Sequence, residues 1–117
     1  MGNLILWTFL SCKHTPDLSL PEPYITTSSI GTVQARQHIL SAYVAQYNQD
    51  VEISMIEFAN ARRSDPTSSI ILLLWGDSAW EQDLPEKAQW AWKEYERSLS
   101  PNDKEELALI KERLERP

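Results

Sequence analysis

The stretch from Ser69 to Pro101 constrains the fold more than any other part of the chain. It holds Trp75, Trp80, Trp90 and Trp92, in a run interrupted only at Asp83-Leu84-Pro85. Before that break, Ile70, Leu73, Leu74 and Ala79 recur at helical spacing, with Gly76 where a second backbone can approach closely. After it, Ala88, Trp92 and Tyr95 recur at i, i+4 and i+7, one apolar face of a helix. Asp83, with Glu86 three residues on and Pro85 between them, reads as the N-cap of this second helix. Two antiparallel helices joined by a tight turn cannot bury that much aromatic surface by themselves. The pair requires neighbours of the same kind.

Such neighbours are present on both sides. From about Val33 the segment VQARQHILSAYVAQYN carries Ile39, Leu40, Tyr43 and Tyr47 on overlapping helical faces, and a break follows at Asn48-Gln49-Asp50. The next segment, VEISMIEFANARRS, places Val51, Ser54, Met55, Phe58 and Ala61 at spacings of three and four. Asp65-Pro66 ends it and can open the following helix, since Pro suits a first turn. At the C-terminus Ser100 reads as an N-cap, Pro101 as the first helical residue, and Leu107, Ile110 and Leu114 as one apolar stripe. Acids early and Lys111, Arg113 and Arg116 late match the helix dipole. Few glycines and almost no alternation of β-branched residues argue against strands. The expectation is an all-α domain over residues 33–117, after a Pro/Ser/Thr-rich linker over 13–32 and an apolar segment over 1–12.

A displacement of 34 residues superimposes the two central pairs: Ala42 falls on Gly76, Ser54 on Ala88, and Phe58 on Trp92. Small residues recur where helices cross closely, and a large aromatic residue recurs where a core must be filled. Pro66 and Pro101 close the two units. This pattern resembles the tetratricopeptide repeat, a helix–turn–helix unit of that period. The resemblance implies two helical hairpins plus a C-terminal capping helix, in an antiparallel right-handed stack. It also implies a concave groove, lined by the first helix of each hairpin, that holds a segment of a partner protein. Carried over position by position, the groove residues are Arg36, Ile39, Tyr43, Gln46 and Tyr47 from the first repeat. The second repeat contributes Ile70, Leu73, Asp77, Trp80 and Glu81. Few of these are charged, which suits an apolar or aromatic segment better than a terminal carboxylate, whose capture calls for several Lys or Arg.

The N-terminal run MGNLILWTFLS ends at Cys12, and Phe9-Leu10-Ser11-Cys12 resembles a bacterial lipobox. That resemblance implies removal of the leader and lipidation at Cys12. Lys13 directly after the cysteine resembles outer-membrane sorting, with the domain facing the periplasm. The alternative is a soluble cytosolic helical regulator or chaperone-like adaptor, with an intact N-terminus and a free Cys12 thiol.

Charge and residue inventory narrow the function further. Eleven Lys and Arg stand against 17 Asp and Glu, a net charge of −6, which disfavours nucleic acid as a partner. A single cysteine permits no intramolecular disulfide and no cysteine-based zinc site, and no metal or cofactor is expected. No HExxH, phosphate-cradling glycine loop or GxSxG occurs. His38 has no acid within four residues, and the acidic pairs near the C-terminus read as a solvated helix face. The sequence therefore points to a non-catalytic protein-interaction module, which could also self-associate.

Overall fold

The computed structural model describes residues 31–117, five α-helices with no strand among them. The leader, Cys12 and most of the linker lie outside the described residues. The helices are α1 (Val33–Tyr47), α2 (Val51–Ser64), α3 (Ile70–Glu81), α4 (Pro85–Ser98) and α5 (Lys104–Leu114). The tightest packing is within the pairs α1–α2 and α3–α4. The α3 helix also lies against α2 and α1, and α5 packs on α4.

Thr32 caps α1 by accepting the Ala35 N–H at 3.0 Å, and Asp50 caps α2 by accepting the Ile53 N–H at 3.2 Å. The two turns inside the pairs are the same structure, 34 residues apart. Each helix ends with a residue at positive φ, Gln49 at 62° and Asp83 at 66°. The Gln49 and Asp83 N–H groups return to the carbonyls of Gln46 and Trp80. The Asp50 and Leu84 N–H groups return to Ala45 and Ala79, both at 2.8 Å. This double bond pattern is the Schellman motif, here built without the glycine that usually occupies its left-handed position.

Three expected helix starts shift. Asp83 is not the N-cap of α4; it is spent on the left-handed residue that closes α3, and Leu84 takes the cap position. Ser100 and Pro101 do not start α5. The Ser100 N–H bonds the Asp103 carboxylate at 2.9 Å, a turn that delays the helix to Lys104. Pro66 likewise precedes α3 by a turn. Asp65, nearly buried, accepts the Gly31 N–H at 2.7 Å and the Thr67 hydroxyl at 2.9 Å, which holds the entry to α1 against the α2–α3 connection.

The core is centred on α3. Every residue from Ile71 to Gly76 is buried, as are Ser78 and Ala79, the signature of a helix surrounded on all sides. The positions paired by the 34-residue displacement are buried in both units: Ala42 and Gly76, Ser54 and Ala88, Phe58 and Trp92, Ala61 and Tyr95. At Gly76 an added Cβ would lie 2.4 Å from Cδ1 of Trp92, so the indole occupies the space left by the missing side chain. Aromatic rings run across the molecule. Tyr43 meets Phe58 edge-on at 5.6 Å, Phe58 stacks on Trp75 at 6.3 Å, and Trp75 meets Trp90 edge-on at 5.1 Å. In α5, Ile110 is fully buried, and Leu109 rather than Leu107 joins Leu114 against the core.

A residue other than glycine held in the left-handed region costs about 1 kcal/mol, less for Asp, whose short side chain tolerates it. Gln49→Gly is therefore expected to raise the urea midpoint, and Asp83→Gly to raise it by a smaller amount. A fall in either midpoint would contradict the turn geometry.

Candidate binding surface

The face expected to bind a partner lies on α1 and α3, and side-chain bonds join those helices directly. Gln46 Oε1 accepts from the Ser78 hydroxyl at 2.5 Å, and Gln46 Nε2 donates to Glu81 Oε1 at 3.0 Å. Gln82 Nε2 donates to the hydroxyls of Ser78 and Ser54, each at 3.0 Å. Ser54 is fully buried and Ser78 nearly so. The network thus supplies partners to buried hydroxyls that α1, α2 and α3 would otherwise strand. Gln82 Oε1 is buried and accepts no hydrogen bond from a donor among the described residues.

Sequence-predicted groove residues divide into three groups. Ile39 and Leu73, at 0% and 3% exposure, are core and present no surface. Tyr43, Ile70 and Trp80 are partly buried and pack against the core. Tyr47 stands out at 55% exposure, on the last turn of α1 beside Gln46. Ile70 borders a shallow depression of about 310 Å³ with Ser68, Tyr95, Leu99 and Asp103. Burial there, with the Glu106 and Asp103 carboxylates nearby, pushes the Tyr95 phenol above its ordinary pKa, against an opposing pull from Arg113.

Asp77 does not face an open groove. Its Oδ1 accepts the Trp92 indole N–H at 2.9 Å and Arg113 Nε at 2.7 Å, while Oδ2 accepts Arg113 Nη2 at 3.0 Å. This bidentate pair ties α5 to α3. The Trp80 ring lies 5.6 Å from that of Trp92, and the Arg116 guanidinium covers both rings at 5.8 and 5.7 Å. The C-terminal helix therefore covers the α3 end of the expected groove, leaving Tyr47 and Glu81 exposed and Gln46 and Trp80 partly exposed. Arg113 and Arg116 were not foreseen in this role. Their spacing from the helix start explained them as dipole partners, and nothing local to them points 36 residues back to Asp77.

His38 also gains a partner that its own helix lacks: Glu57 Oε1 on α2 lies 2.7 Å from His38 Nδ1. Of the remaining tryptophans, Trp75 is buried and directs its N–H at the Met55 sulfur, 3.3 Å away, while Trp90 is 44% exposed. Lys87 sits over both rings, 5.3 Å from Trp75 and 4.8 Å from Trp90. Among the described residues no group of three or more His, Cys, Asp or Glu is placed to hold a metal ion, and no helix is long and apolar enough to cross a membrane. Protein-family models, curated proteins and solved structures yield no match to this chain.

Asp77→Ala strands the Trp92 N–H and the Arg113 guanidinium together. The expected loss is about 1–3 kcal/mol in urea unfolding, with amide exchange rising more in α5 than in α1 or α2. An unchanged midpoint, or a uniform rise in exchange, would contradict the clamp.

Proposed function

We propose that this chain is a non-catalytic protein-interaction module of tetratricopeptide-like architecture, with two hairpins and a capping helix in a right-handed stack. It is tethered to the outer membrane of a bacterial envelope through lipid on Cys12, and binds a partner segment along the α1–α3 face. The observation that carries the reading is the repeated hairpin: identical Schellman turns 34 residues apart, with the first helices of the two hairpins bonded side by side through Gln46, Ser78 and Glu81. That arrangement leaves Tyr47 projecting beside a rim of Gln46, Glu81 and Trp80. An aromatic ring with amide and carboxylate neighbours suits an apolar segment with hydrogen-bonding backbone. The tether rests on the lipobox resemblance at Phe9-Leu10-Ser11-Cys12 and on the Pro/Ser/Thr-rich spacer after it.

Two measurements test the two halves separately. A photo-crosslinking residue at position 47 in cells is expected to give a discrete protein adduct that the same residue at position 97, on exposed Arg97 of α4, does not give. Equal adducts from both positions, or none from position 47, would contradict the groove. Intact mass spectrometry of detergent-extracted protein is expected to show loss of residues 1–11 and added acyl chains. An unmodified chain with a free Cys12 thiol would replace the anchored reading with the soluble cytosolic adaptor and leave the groove reading standing.

A further inference from the structure

Trp75 and Trp90 form a corner, and a positive charge already sits in it. The two indoles meet at 76° with ring centroids 5.1 Å apart. The Lys87 ammonium lies over both, 5.3 Å from the Trp75 ring and 4.8 Å from the Trp90 ring. Among the described residues Lys87 forms no ion pair, so its charge rests against the two π faces. The corner does not take its shape from Lys87. Trp75 is buried, stacks on Phe58 and directs its N–H at the Met55 sulfur. Trp90 belongs to α4, where the next two residues, Ala91 and Trp92, are locked in the core. Lys87, one turn before Trp90, is exposed and reaches the rings from the solvent side. A depression of about 460 Å³ opens there, bounded by Lys87 and Trp90 and by the exposed carboxylates of Asp83 and Glu86.

We propose that this corner is a binding site for a quaternary ammonium group of the choline type, and that the Lys87 ammonium is its resident stand-in. Two near-perpendicular aromatic faces within about 6 Å of one cation are the geometry by which proteins recognise such groups. The chemistry of the walls selects between the two cations. An indole face offers no lone pair, so the three N–H donors of a primary ammonium are served better by water than by the rings. A quaternary ammonium has no donor to leave unpaired, and its methyl groups pack on the indoles. The exchange asks only for rotation of a flexible, exposed side chain and moves no helix. Asp83 and Glu86 at the rim, on a chain of net charge −6, favour a cation and turn away anions. The inference is independent of the anchor and of the groove reading, because neither Cys12 nor the α1–α3 face takes part in it.

The test uses the full chain carrying Cys12→Ser, so that no lipid is attached. Choline, and the uncharged analogue in which carbon replaces the choline nitrogen, are titrated while the tryptophan indole N–H resonances are followed. Choline is expected to bind saturably, and the uncharged analogue about tenfold or more weakly. Lys87→Ala, which empties the corner, is expected to tighten choline binding about tenfold, and Trp90→Ala to weaken it by about the same factor. Trp90 is exposed enough for that variant to fold, which far-ultraviolet circular dichroism checks. Phosphatidylcholine vesicles separate the two sources of the group. Capture of the chain by vesicles that Trp90→Ala abolishes assigns a lipid headgroup, and choline binding without vesicle capture assigns a small soluble ligand. No saturable choline binding, equal affinity for the uncharged analogue, or choline affinity unchanged in Lys87→Ala or Trp90→Ala would overturn the proposal.

Discussion

The indole of Trp92 lies where the side chain of residue 76 would be, and the second half of the molecule is arranged around that contact. Because Gly76 has no Cβ, α4 can approach α3 closely enough to bury the whole ring. Burying a tryptophan of about 150–250 Å² is worth roughly 4–6 kcal/mol at 25 cal/mol per Å². The approach also brings the indole N–H to Asp77, and Asp77 in turn receives Arg113. One missing methyl group thus sets the α3–α4 distance, satisfies a buried donor, and orients the carboxylate that holds α5. Trp80 and Arg116 complete the cluster from the outer side.

The first hairpin attaches to this unit by different means. The Phe58–Trp75 stack supplies its apolar contact, and the Gln46–Ser78–Gln82–Ser54 network its polar one. Both act on α3, which explains why that helix is buried on every side. Such a hub restricts where a partner can bind. The accessible remainder of the α1–α3 face lies toward the helix C-termini, where Tyr47 and Trp80 flank Gln46 and Glu81. Among the described residues no helix covers the outer side of α1, where Leu40, Val44, Asp50 and Ile53 line a shallow groove.

Helix content and the two hairpin breaks were legible because short-range chemistry dictates them: Asp50 caps α2, Pro85 opens α4, and the apolar spacings are regular. Gly76 and the paired small and aromatic positions were legible through the 34-residue displacement. The turn residues were not, because Gln49 and Asp83 occupy left-handed positions usually marked by glycine, and Asp83 carries the alternative signal of an N-cap. Ser100 misled for a similar reason: its turn with Asp103 uses the same residue types as a cap. Of the groove residues carried over from the repeat resemblance, Tyr47 is exposed, whereas Ile39 and Leu73 turn inward. Helical periodicity marks one apolar face, and only tertiary packing decides how far burial extends around it. Asp77–Arg113 and His38–Glu57 join residues on different helices, and no local pattern announces such pairs.

Substituting Gly76 by Ala and measuring the unfolding midpoint tests the central contact most directly, because two effects of opposite sign compete there. Helix propensity alone favours Ala by about 1 kcal/mol in the interior of a helix, so a glycine without a packing role would give a more stable protein. The Trp92 contact predicts the reverse: a Cβ at 2.4 Å from the ring forces α4 outward and costs about 1–3 kcal/mol, with α5 loosened as Asp77 and Trp92 separate. A destabilised variant with faster amide exchange in α4 and α5 is the predicted result. A midpoint that rises would contradict the account.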